Sequence, residues 1–147
     1  MTASIFFVSV SLVLFAYWFR YTCLLILSTR PARDFAKDVA EANRLSFRDV
    51  QDRLAGALTT ADLDALQTKL DSDYSLITCL LRHGAEFKVA GSAIEERMLM
   101  VHYSLMRRWY ALARRLSVTR GRQALDEMSQ IVNHFAGLMG ERSAAAA

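Results

Sequence analysis

A chain of 147 residues with a net charge of +3, 53% hydrophobic and 22% charged residues holds material for one core and not two. Two cysteines, six glycines and one proline exclude a disulfide scaffold and a glycine- or proline-rich repeat. So mild a charge makes nucleic acid the least expected partner.

In chain order, the first feature is an almost unbroken apolar run from Ala3 to Leu27, interrupted by one charge, Arg20. About 20 apolar residues suffice to cross a bilayer core of ~30 Å, so residues 3–29 are expected to form a transmembrane anchor. A cleavable signal peptide would carry a basic start, a shorter apolar core and a small-x-small cleavage site, and none of these is present. Arg30, Arg33 and Lys37 follow the span and nothing basic precedes it, which places the N-terminus outside and the remainder in the cytoplasm. Pro31 marks the boundary, because the residue before a proline is driven out of helical geometry.

Residues 30–45 read as a juxtamembrane linker with a short helix from Asp34 to about Asn43. Ser46, with Asp49 three residues on, opens a helix to about Leu58 that carries Phe47, Val50, Leu54 and Leu58 on one side. Thr60 is expected to cap the next helix, in which Leu63, Leu66, Leu70, Tyr74, Ile77 and Leu81 recur at helical spacing up to Gly84. Ser92 to Glu95 form a capping box for a helix to about Leu116. The last helix spans about Arg122 to Met139, with Gly140 as its stop and residues 141–147 as a disordered tail. The fold class is therefore all-α: a single N-terminal transmembrane helix and a small cytoplasmic bundle of about four helices over residues 46–140.

Chemistry is hard to find in this pattern. A di-iron bundle needs Glu-x-x-His on two helices, and three residues after Glu96 stands Leu99. No nucleophile elbow, phosphate loop or Cys/His cluster is present, so neither enzyme activity nor a cofactor or metal is expected. His83 ends a helix, where it interacts with the last carbonyls. His102 lies at the edge of the apolar side made by Met98, Val101, Leu105 and Trp109, and His134 stands next to Phe135; both read as hydrogen-bonded core-edge residues. Cys23 and Cys79 read as small apolar residues.

Three features suggest docking. Arg107, Arg108, Arg114, Arg115, Arg120 and Arg122 crowd the end of the long helix and the turn after it as one basic surface, suited to solvent, anionic lipid headgroups or an acidic protein. The same helix has an unusually wide apolar arc, because Leu99, Tyr103, Met106 and Tyr110 widen the main stripe. It is either central in its bundle or turned outward to a partner. In the span, Ser9, Ala16, Arg20 and Cys23 lie on one narrow stripe with Ile5 and Leu27, while Phe6, Phe7, Phe15, Tyr17, Trp18, Phe19 and Tyr21 point elsewhere.

The reading that unites these features is a non-catalytic accessory or scaffold subunit of a larger integral membrane complex. The small, Ala- and Arg-rich chain suggests the inner membrane of a bacterium. The alternatives are a membrane-tethered haem or electron-transfer bundle with His102 or His134 as axial ligand, and a tether for an acidic partner or nucleic acid.

Overall fold

The computed structural model describes residues 1–29, 34–83 and 92–146, and among these every regular element is an α-helix. There are six: α1 (Thr2–Ser28), α2 (Phe35–Asn43), α3 (Phe47–Leu54), α4 (Thr60–His83), α5 (Ser92–Leu116) and α6 (Val118–Ala146). The chain divides into two compact units, Met1–Arg30 and Pro31–Ala147. Arg30, Pro31, Arg33, Gly84 and the side chain of Ser92, on which the boundary, orientation and capping-box expectations rest, lie outside the described residues.

The first unit is α1 itself, 27 residues long and apolar enough to cross a membrane. At ~1.5 Å per residue its length is about 40 Å, more than the hydrocarbon core requires. Three of its hydroxyls bond to their own backbone: Ser9 Oγ donates to Ile5 O at 2.8 Å, Thr22 Oγ1 to Trp18 O at 2.9 Å and Ser28 Oγ to Leu25 O at 2.7 Å. Such back-bonding lets a hydroxyl enter hydrocarbon without an orphaned donor.

The second unit contains five described helices rather than the expected four, and α6 is its hub. It packs against α2, α3, α4 and α5, whereas α4 and α5 flank it with little backbone contact between them. The sequence of α6 suits this place. Leu125, Met128, Ile131, Val132 and Phe135 are fully buried, and Gly121, Ala124, Ala136, Gly137 and Gly140 keep the rest of its circumference slim. Each fully buried large apolar side chain contributes roughly 1.5–3 kcal/mol.

Gly140 does not stop the helix. A Cβ there would lie 2.5 Å from Phe35 Cβ and 3.1 Å from Phe35 O, so the glycine is a notch that lets α2 seat against α6. Accordingly α2 belongs to the bundle, with Ala36, Val39 and Ala40 buried, and is not a free linker. The segment expected to be a disordered tail continues the helix to Ala146, and Arg142 pairs there with Glu96 of α5.

Three helix starts differ from expectation, the simplest being α6, which begins at Val118 rather than about Arg122. Thr59, not Thr60, caps α4: its Oγ1 accepts the Asp62 N–H at 3.3 Å, while its own N–H and hydroxyl donate to Asp62 Oδ2 at 2.9 and 2.6 Å. Ser46 occupies the cap position of α3 but makes no side-chain cap. Its N–H instead donates at 2.7 Å to the buried carboxylate of Asp73, borrowed from α4. The helix is shorter than expected and ends at Leu54, where Arg122 of α6 binds the carbonyl of Gly56 just beyond. Arg44 ends α2 in left-handed geometry (φ 52°), with Leu45 N–H bonded to Ala40 O at 2.9 Å as in a Schellman motif.

Candidate functional site

The α4 face formed as its spacing predicts: Leu63, Leu66, Leu70, Ile77 and Leu81 are buried. The α5 helix turned the other way. Its core side is Leu99, Tyr103, Met106 and Tyr110, the set expected merely to widen the apolar arc, together with His102 and Ala113. Of the expected main stripe, Val101, Leu105 and Trp109 face outward at 41–52% exposure, alongside Ile94 and Leu112, and Met98 is half-buried. Thus α5 is peripheral with two apolar faces, and the central position belongs to α6.

What selects the buried face is a repeated polar clamp. Tyr103 Oη donates to Asp71 Oδ1 at 2.8 Å, and Arg107 Nε lies 3.1 Å from Asp71 Oδ2. Seven residues on, Tyr110 Oη donates to Asp64 Oδ1 at 2.8 Å, and Arg114 pairs with the same carboxylate. Seven residues is two helical turns, so the antiparallel helices meet as a two-rung ladder, each rung a tyrosine and an arginine four apart on α5 gripping one α4 aspartate. The Tyr110 hydroxyl, followed by Arg114, holds the Asp64 carboxyl below the usual carboxylate range, and burial with the Asp64 contact raises the Tyr110 phenol. Tyr74 stacks on Tyr103 with centroids 3.7 Å apart and planes 4° from parallel. An open groove of about 610 Å³ lies between α4 and α5, lined by Gln67, Asp71, Tyr74, Thr78, Tyr103 and Arg107 among others.

The ladder divides the expected basic surface. Arg107 and Arg114 are spent on α4 carboxylates, and Arg122 on Gly56 O. Arg108, Arg115 and Arg120 are exposed and make no ion pair among the described residues.

His102 and His134 lie inside the fold, and His83 is exposed at the end of α4. His102 is buried on α5 with Nε2 3.5 Å from Glu127 Oε2 on α6. His83 Nδ1–H donates to Cys79 O at 2.9 Å, the expected helix-end bond. His134 sits half-buried with its ring centroid 6.4 Å from that of Phe135, and burial lowers its pKa, so the ring is neutral near pH 7. Among the described residues no group of three or more His, Cys, Asp or Glu side chains is placed to hold a metal ion.

On α1, Ser9, Ala16 and Arg20 are exposed along one side, whereas Cys23, in the same register, is buried. The aromatic rings form their own clusters, with Phe15 6.2 Å from Trp18 and 6.4 Å from Phe19. The class defined by these features is an all-α protein with one candidate membrane-crossing helix. Comparison with protein-family models, curated proteins and solved structures finds no match for the chain.

Proposed function

We propose that this protein is a non-catalytic, membrane-anchored accessory subunit of a larger membrane complex, docking through α1 while its cytoplasmic helices hold a second component in reach. The observation that carries this reading is the division of α1: small and polar Ser9 and Ala16, with Arg20, on one exposed side and a crowd of aromatic rings on the others. In hydrocarbon, helices associate by close packing of small residues and by polar contacts, and a charge costs about 2.5–3.5 kcal/mol at the helix centre, so such a side suits a protein neighbour better than acyl chains. The ladder between α4 and α5 and the packing of four helices on α6 support a stable platform, as a scaffold needs. The basic residues after the span favour a cytoplasmic domain.

Ala16→Phe adds bulk on the small-residue side without polarity, and Leu14→Phe does the same on another face. Both variants insert. The full-length protein purified in mild detergent retains its companion proteins when Leu14 is replaced and loses them when Ala16 is replaced; equal retention would refute the proposal.

A further inference from the structure

The outward face of α5 is a continuous apolar ridge. Ile94, Val101, Leu105, Trp109, Leu112 and Leu116 are each 41–72% exposed. At 100° per residue they fall within a sector of about 80°. Along one edge of that sector run Arg97, Arg108 and Arg115, within about 20° of one another. All three are exposed, with no ion pair among the described residues. After Glu96, which pairs with Arg142, α5 carries no acidic residue. From Arg97 onward the ridge is therefore an amphipathic face with a basic edge, and it runs about 33 Å from residue 94 to residue 116.

We infer that this face of α5 lies in the interfacial layer of an anionic lipid bilayer, with Trp109 and the leucines sunk to the acyl boundary and the arginine edge against headgroup phosphates. A surface helix of this kind binds by buried apolar area plus attraction to anionic lipid, and tryptophan and arginine suit headgroup depth. A bilayer is also the surface this domain meets. Only six residues separate Ser28 of α1 from Phe35 of α2, a reach of at most about 25 Å. The occupant is a lipid surface rather than a second copy because anionic headgroups complement the arginine edge, whereas a second copy offers that edge no acidic residue from α5 beyond Glu96 and, paired antiparallel, a like-charged edge. The inference rests on α1 crossing the membrane, as proposed above.

The chain has two tryptophans, Trp18 and Trp109, so each is isolated by replacing the other with phenylalanine. Full-length Trp18→Phe protein is reconstituted into neutral phosphatidylcholine bilayers and into bilayers containing phosphatidylglycerol, each doped with lipid brominated near the headgroup. Trp109 emission is quenched in the anionic bilayers. Quenching weakens at high salt and when Arg97, Arg108 and Arg115 are changed to Gln, the docking equilibrium shifting roughly fivefold for each arginine removed. Lipid bromine that leaves Trp109 bright in both bilayers overturns the inference, and so does Trp109 shielded from aqueous iodide in a concentration-dependent way, which marks a second copy. The Trp109→Phe protein reports separately on the span. If mid-depth bromine quenches Trp18 while Trp109 stays bright, the ridge inference fails and the span stands; if Trp18 escapes quenching, the span reading fails by itself.

Discussion

The hydroxyl of Tyr103 donates to Asp71 across the gap between α4 and α5 at 2.8 Å, in the same way that Tyr110 donates to Asp64 two turns away. These bonds, with the Arg107 and Arg114 ion pairs and the Tyr74–Tyr103 stack, tie together two helices that each pack on α6. They also orient α5, because the face bearing Tyr103 and Tyr110 must turn inward to reach the aspartates.

The tie has a pH signature. Tyr110 and Arg114 hold the Asp64 pKa below its ordinary value, so the contribution is present above the unfolded pKa and lost as pH falls through the lower folded value. Thermal unfolding of the detergent-solubilised protein therefore occurs at a lower temperature for Asp64→Asn than for wild type at pH 7. The gap narrows as the pH drops below the carboxylate range. A gap that is independent of pH would show that the carboxylate charge contributes nothing.

Asp73 carries the opposite sign. Burial raises its pKa, against the Ser46 and Phe47 backbone N–H groups and Lys69, which lower it. Its contribution is then fully present below the unfolded pKa and lost as pH rises through the raised folded value. Asp73→Asn keeps an acceptor for the Ser46 N–H and removes the buried charge, so it gains stability relative to wild type as pH increases from acid to neutral. Asp73→Ala removes the borrowed cap of α3 and costs about 1–2 kcal/mol at pH 7. Chemical denaturation across pH, with helicity as readout, measures both.

Gly140 and Gly137 make a matched pair on α6. A Cβ at Gly140 collides with Phe35, whereas one at Gly137 meets nothing within 4 Å. Gly140→Ala is expected to destabilise by about 1–3 kcal/mol through overpacking, outweighing its gain in helix propensity, and Gly137→Ala to stabilise by about 0.5–1 kcal/mol. Stabilisation by both substitutions would mean that α2 does not seat on α6.

Some of this was legible in the sequence and some was not, for reasons that lie in particular residues. The α4 core face could be read because Leu63, Leu66, Leu70, Ile77 and Leu81 form the helix's one apolar stripe. On α5 two apolar stripes stand about 110° apart at 100° per residue, and hydrophobic periodicity cannot say which is inside. The available clue was polar: Tyr103 with Arg107 and Tyr110 with Arg114 match Asp71 and Asp64 at the same seven-residue interval. Gly140 misleads because a glycine at a helix end and a glycine at a helix crossing look alike in sequence. Asp73 could not be assigned from its neighbours, since the helix it caps begins 27 residues earlier.

Photo-crosslinking in native membranes reads the docking of α1 itself. A photoreactive amino acid is placed at position 16 of the full-length protein, or at position 14 as a control, and the cells are irradiated before lysis. The docked-subunit account predicts one discrete heavier product from position 16 and only diffuse lipid adducts from position 14. Diffuse lipid adducts from both positions would contradict it, because a side of α1 that meets only acyl chains docks on nothing.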